Sequence, residues 1–263
     1  MAPPIIVLTT DFGASSPAVG VMKGVILTIN PRATVVDLTH QIDPQNVLQG
    51  ARTLGGSHRF FPREAIHVAV VDPGVGTSRQ ALLLTTPHGR FVGPDNGLFS
   101  GVIRGYLPEI PNASGLVPVP QGCSARALTQ PRYWLDPVSN TFHGRDVFAP
   151  VAAHLSLGVA PEDMGEPIES LYLLPMAKPA IKDGHITGVV AYQVPQHPHQ
   201  KADWRHRLVV GRSHNRSTGS PRNVGLRPYG NQEKRSSQQS GPDQQESHMK
   251  GKPDDSDQQQ NRC

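Results

Sequence analysis

The chain has only two cysteines in 263 residues, Cys123 and Cys263. They form no CxxC pair, no zinc-ligand spacing and no disulfide framework, a usage that fits a reducing cytosol. No run approaches the ~20 apolar residues that cross a bilayer as a helix. The start Met1-Ala2-Pro3-Pro4 lacks the basic region that opens a secretory leader. The expectation is a soluble cytoplasmic protein with no membrane partner. The lysine and spacing of a nucleotide-binding P-loop are missing too. Hydrophobic residues make up 37% and aromatics 5%, little for a fully packed chain of this length. The shortage is local: from Gly211 onward the clearly apolar side chains are Val224, Leu226, Tyr229, Met249 and Cys263. These cannot offset the entropy of ordering that segment.

Charge changes along the same divide. Residues 1–192 carry 13 Lys/Arg against 14 Asp/Glu, and residues 193–263 carry 12 against 7. The formal charge of +4 therefore belongs to the second segment. A basic tail rich in Gln, Ser and Arg can meet nucleic-acid phosphates, but few aromatic residues interleave with its charges as base-stacking platforms would. A solvated, disordered tail is the simpler expectation, and nucleic acid is the less favoured partner.

What the first segment does have is alternation. Ile5 to Thr10 reads as a strand. Val19, Met22, Val25, Ile26 and Ile29 then share one helical face, and that helix must stop before Pro31. Thr34 to Leu38 is a second strand. Asp43-Pro44 resembles a helix start, with Asp as cap and Pro in the first turn, followed by Val47, Leu48, Ala51 and Leu54 at helical spacing. Ile66 to Val71 is a third strand, apolar enough to be covered on both faces. Ala81 to Thr86 and Arg90 to Val92 flank a turn at Pro87-His88-Gly89. Leu107 to Asp136 reads as a proline-rich irregular stretch. Asp146 is placed to cap a helix running to about Leu157, with Pro150 in its first turn and Gly158 as its stop. The fold class is α/β with a largely parallel sheet.

Three clusters could carry chemistry. Asp11 follows the first strand and Asp72 the third, so a parallel sheet places both carboxylates where open α/β folds bind ligands. Either alone could merely start a turn through its own side chain. Asp72 opens Asp72-Pro73-Gly74-Val75-Gly76-Thr77-Ser78-Arg79, a loop whose glycines permit close approach and which can return Arg79 beside Asp72. His143, in Thr141-Phe142-His143-Gly144-Arg145-Asp146, is one of 12 histidines, and a lone loop histidine is more often structural than catalytic. Its neighbours give it weight.

Six blocks together resemble one family in order and spacing. They are Thr9-Thr10-Asp11-Phe12-Gly13, Val21-Met22-Lys23-Gly24-Val25-Ile26, Asp37-Leu38-Thr39-His40, Val70-Val71-Asp72-Pro73-Gly74-Val75-Gly76-Thr77, Pro94-Asp95-Asn96-Gly97-Leu98 and Thr141-Phe142-His143-Gly144-Arg145-Asp146-Val147-Phe148-Ala149-Pro150. Over about residues 4–192 the chain resembles the S-adenosylmethionine hydroxide adenosyltransferases (SAM hydrolases) and the related SAM-dependent halogenases.

The resemblance implies an N-terminal α/β domain over residues 1–192 that binds S-adenosylmethionine as substrate, with no separate cofactor and no metal. It implies a homotrimer in which a neighbouring subunit's β-barrel closes the adenine side. Asp11 matches the family residue that grips the ribose hydroxyls, a task suited to a carboxylate because its two oxygens can accept from both. Asp72, Arg79 and His143 match residues associated with water activation, with Arg79 paired to Asp72. Thr141, Phe142 and Gly144 join Asp11 and Asp72 as substrate-binding positions. The halogenases carry tyrosine at the positions of Asp72 and His143, so this chain points to hydrolysis, which needs a proton acceptor that halide transfer does not. Asp72 and His143 both remain candidates for the base.

The chain departs from the family twice. Ser16 and Ala18 stand where members commonly have an acidic and an aromatic residue. After Gly188-Val189-Val190-Ala191-Tyr192 the family continues into an Asp-x-Phe-Gly-Asn segment and the barrel, whereas this chain reads Gln193-Val194-Pro195-Gln196-His197-Pro198-His199. Residues 193–263 are therefore expected to be a polar, basic tail, disordered or translated from an altered frame, in place of the barrel. The alternatives to a working hydrolase are a relative that binds S-adenosylmethionine or adenosine without turnover, and a nucleic-acid binder acting through the tail.

Overall fold

The β-branched run at the start becomes strand β1 (Ile5–Thr10), where Ile6, Val7 and Leu8 have no solvent exposure. Helix α1 (Pro17–Ile29) follows. Ser16 caps it by accepting from the Ala18 N–H at 3.2 Å, and Pro17 supplies a preset φ at the first position. Val19, Met22 and Ile26 are its buried face, three or four residues apart as helical geometry requires. Strand β2 (Thr34–Thr39), helix α2 (Val47–Ser57) and strand β3 (Ile66–Val70) complete two parallel crossovers. Strands β4 (Ala81–Thr86) and β5 (Gly89–Pro94) form a hairpin, followed by the short helix α3 (Ser100–Ile103). The structure, a computed structural model, describes residues 2–109, 112–176, 180–182 and 185–187.

The main sheet has the order β2-β1-β3-β5-β4-β7, where β7 is Ser124–Ala127. Pairings from β2 through β5 are parallel, and those of β4 with β5 and with β7 are antiparallel. The architecture is thus mixed α/β around a mostly parallel sheet. One face is covered by α1 and by α4 (Ala149–Ser156), burying Ile6, Leu8, Met22, Ile26, Phe148 and Val151. The other face buries Leu54, Phe91, Leu98, Phe99, Val102 and Leu171. Each fully buried side chain of this size is worth about 1.5–3 kcal/mol relative to exposure. The two covers pack both faces of the sheet whose strand ends carry the site.

Three expectations need correction. The stretch from Leu107 to Asp136 is not wholly irregular: it contains β6 (Gly115–Pro118), which pairs with β8 (Ser170–Leu173), and β7, which extends the main sheet. Their partners lie far away in sequence, so local composition does not reveal them. Helix α2 starts at Val47 instead of Asp43-Pro44; Gln45 adopts a left-handed φ of 63°, which breaks the helical path, and Asn46 accepts from the Gln49 N–H at 3.0 Å as the cap. Asp146 caps nothing. It is buried in a π-helical turn, Gly144–Phe148, that runs straight into α4. Pro150 does sit in the first turn of α4, and Gly158 has the positive φ of a helix stop (95°).

Among the described residues, no helix is long and apolar enough to cross a membrane. Two short strands, β9 (Ala180–Lys182) and β10 (His185–Thr187), pair antiparallel. The expected boundary at residue 192, the polar tail and the missing barrel lie outside the described residues.

Candidate active site

Thr10 of β1 pairs in register with Val70 of β3. Asp11 and, after Val71, Asp72 therefore leave neighbouring parallel strands at the same carboxyl edge, the position where open α/β sheets take ligands. Asn96 secures that edge: its Nδ2 donates to the Val71 carbonyl at 2.9 Å while its Oδ1 accepts from the Leu98 N–H at 3.2 Å. Asn96 belongs to the fifth motif block yet was not among the expected site residues. Its role requires the strand end to be seen.

The loop after Asp72 folds back and brings Arg79 to it. Arg79 Nε lies 3.1 Å from Asp72 Oδ1 and 2.9 Å from Oδ2, and Nη2 makes a further short contact with Oδ2. The two side chains are 10% and 4% exposed, so water competes little for the pair. Breaking a buried pair by removing one partner costs about 3–5 kcal/mol. The Arg79 guanidinium also sits 5.5 Å from the ring centre of the fully buried Phe148, close enough for a cation–π contact.

The same guanidinium reaches the third cluster, with Nη2 lying 2.8 Å from His143 Nδ1. Guanidinium only donates, so Nδ1 must accept, and the proton of the neutral imidazole is assigned to Nε2. Burial pushes the His143 pKa below its ordinary value, and the Arg79 charge adds to that, against opposing contributions from Asp72, Asp146 and a hydrogen bond to the Ser139 backbone. Asp72, Arg79 and His143 thus form one connected cluster.

Close packing of two loops makes this possible. Gly76 has φ 76°, and a Cβ there would fall inside van der Waals contact with the Asn140 carbonyl oxygen. Only a residue without a side chain lets the loop bearing Arg79 press against the segment bearing His143. That segment is braced by Asp146, whose Oδ2 accepts from the Ser139 N–H at 2.8 Å and whose Oδ1 accepts from Arg145 Nε at 2.5 Å.

The remaining expected residues lie around this cluster. Phe142 meets Phe12, next to Asp11, edge-on at 5.7 Å between ring centres. Gly144 is buried beneath them; a Cβ there would sit 3.2 Å from Met22 Sδ and 3.3 Å from Phe142. Thr141 is exposed. Asp11 Oδ2 accepts from the Gln45 backbone N–H at 2.8 Å. Gln45 was not foreseen, because nothing in its side chain signals a strained turn that aims an amide.

Arg79 and His143 also form part of the wall of a cavity of about 280 Å³, together with Gln80, Thr129, Trp134 and Val147. Chemically, the cluster offers a desolvated, cation-held carboxylate that can accept a proton, and an imidazole N–H that can donate a hydrogen bond.

Residues 6–165 match the family described as SAM hydroxide adenosyltransferase N-terminal domain. The chain is 42% identical over 179 residues to the (R)-S-adenosyl-L-methionine hydrolase of Salinispora arenicola, covering 68% of this chain and 63% of that protein. It is 41% identical over 179 residues to the protein of the same name from Thermus thermophilus, covering 67% of each. A crystal structure of an uncharacterized conserved protein from Thermotoga maritima superposes with a TM-score of 0.64 at 38% identity, over 72% of this chain and 66% of that one. The chain thus spans roughly two thirds of the length of these relatives. On the extent of the family match and on the identities, the chain belongs to the SAM hydroxide adenosyltransferase family.

Proposed function

We propose that this protein hydrolyses S-adenosyl-L-methionine, with water attacking the ribose C5′ to give adenosine, L-methionine and a proton. The observation that carries the reading is the Asp72–Arg79–His143 cluster at the carboxyl edge of β1 and β3. In the attack a C5′–O bond forms and the C5′–S bond breaks. The sulfonium takes the electron pair and leaves as a neutral thioether, so the leaving group needs no acid. What the step needs is a positioned, partly desolvated water and an acceptor for its proton.

Asp72 is the acceptor in this reading, because His143 Nδ1 is occupied by Arg79 and Nε2 already carries a hydrogen. His143 then orients the water through Nε2–H. Arg79 contacts both partners and is the positioning residue of the cluster. Asp11 takes the ribose hydroxyls, and Phe142 and Gly144 shape the neighbouring wall. S-adenosylmethionine is the substrate and no further cofactor is required. The reading includes the family's homotrimer, in which a neighbouring subunit completes the adenine side; the mass of the protein in solution tests that part.

The experiment is incubation of the purified protein with S-adenosyl-L-methionine and chromatography of the products. Adenosine and methionine in equal amounts are expected. S-adenosylmethionine bound without products would instead mark a binding relative lacking turnover.

A further inference from the structure

Three of the six sequence blocks, Thr9–Gly13, Val21–Ile26 and Asp37–His40, contribute residues that the proposed chemistry does not use, and the structure joins them. Lys23 Nζ lies 2.6 Å from Asp37 Oδ2. His40 Nε2 lies 3.0 Å from Asp37 Oδ1, and His40 Nδ1 lies 3.0 Å from Thr10 Oγ1. Thr10 Oγ1 in turn accepts from the Phe12 N–H at 3.2 Å, and the Gly13 N–H donates to the His40 carbonyl at 2.8 Å. Asp11 is the residue enclosed by these last contacts.

The chain runs inward from solvent. The Asp37 side chain is 41% exposed and that of Lys23 33%, His40 is 11% exposed, and Thr10 is fully buried. The donors can be assigned in sequence. Asp37 Oδ1 lies at ion-pair distance from His40 Nε2 but out of hydrogen-bond alignment; its negative charge still favours the hydrogen on that nitrogen, and Nδ1 is left to accept from the Thr10 hydroxyl. That hydroxyl therefore has its oxygen lone pairs free for the Phe12 amide. Each group has one consistent role, which leaves the Thr10–Gly13 turn a single hydrogen-bonded arrangement.

We propose that Thr10, backed by His40 and Asp37, is a positioning residue that aims the Asp11 carboxylate. Gln45 completes the device from the other side. Its left-handed φ of 63° is a conformation that non-glycine residues adopt only under strain, and it directs the amide onto Asp11 Oδ2. One carboxylate oxygen is thereby fixed, and the orientation of the other follows from the turn that Thr10 holds. The proposal rests on the reading that Asp11 binds the ribose diol, but its geometric part stands without it.

Thr10→Val removes the hydroxyl and keeps the shape; Thr10→Ser keeps the hydroxyl. The full chain is compared in both forms by amide hydrogen exchange at Gln45, with Val68 of β3 as the internal measure of an intact fold. Affinity for adenosine and for 2′,3′-dideoxyadenosine is measured alongside. Thr10→Val is expected to speed Gln45 exchange about tenfold and to lower adenosine affinity about tenfold, toward that of the dideoxy compound, as loss of an aimed charged hydrogen bond implies. Dideoxyadenosine binding should be unmoved and Thr10→Ser should restore both values. Asp37→Asn, at the exposed end of the chain, gives the same pattern in smaller degree if Thr10→Val does not fold. Unchanged Gln45 exchange in a folded Thr10→Val protein overturns the proposal. If Asp11→Asn leaves the preference for adenosine intact, the ribose reading fails instead, and Gln45 exchange alone decides the positioning.

Discussion

Arg79 Nη2 and His143 Nδ1 are 2.8 Å apart, so the one nitrogen of His143 that could take a proton already accepts a hydrogen bond. This separates the roles of two residues that the sequence leaves equivalent. Asp72→Asn preserves shape but removes the charged acceptor, and kcat should fall by about 10²- to 10⁴-fold, the range for loss of a general base. S-adenosylmethionine affinity should change little. His143→Gln should cost less in kcat. Steady-state kinetics on both variants check the assignment, and the reverse ranking would make His143 the base.

The pH profile tests the same contact. Burial and the adjacent Arg79 both lower the His143 pKa, because an imidazolium there would face a guanidinium in a poorly solvated place. Activity should therefore hold as pH falls through about 6.5, the ordinary histidine value, and decline only below it. A limb at or above that value, absent from His143→Gln, would contradict the geometry.

Gly76→Ala should damage the site without touching a reacting group. Its positive φ and the Asn140 carbonyl in the path of a Cβ predict a loss of at least about 1 kcal/mol in stability. The Asp72 loop should also move away from His143. Denaturant unfolding measures the first effect and kcat the second. A variant with native stability and full activity would show that the two loops need not touch.

His67 carries a prediction about acid stability. It lies in the middle of β3 with no solvent exposure, stacked on Phe91 at 4.8 Å, and neither ring nitrogen has a hydrogen-bond partner among the described residues. Burial pushes its pKa from 6.5 down to about 4. The unfolded chain then binds the proton more readily than the folded one between those values. Stability is fully present above about 6.5 and is lost as pH falls toward about 4, by roughly 3 kcal/mol across the window. His67→Leu should abolish that part of the pH dependence. Parallel unfolding curves for the two proteins at pH 7 and pH 4.5 would refute it.

Much of this was legible in the chain. The alternation from Ile5 to Val71 identified β1, α1, β2 and β3 nearly to the residue, because apolar spacing and Pro31 are local signals. The motif blocks drew attention to Asp11, Asp72 and His143, and the glycine-bearing loop after β3 to Arg79, as candidates. What escaped was what depends on backbone geometry or distant pairing. Gln45 looks like any loop residue until its φ is known. Asp146 sits where a cap would be expected, yet Ser139 and Arg145 claim it as a buried brace. Strands β6 and β7 owe their existence to β8 and β4, which no local composition encodes. Asn96 stood inside a motif whose function only the end of β3 explains.

The central claim is that water, oriented by the Asp72–Arg79–His143 cluster, attacks C5′ of S-adenosylmethionine. It is tested most directly by turnover in ¹⁸O-labelled water with excess chloride, followed by mass spectrometry of the nucleoside. The account predicts adenosine carrying one ¹⁸O at its 5′ position, alongside unlabelled methionine. Adenosine without the label, or 5′-chloro-5′-deoxyadenosine in comparable yield, would contradict it.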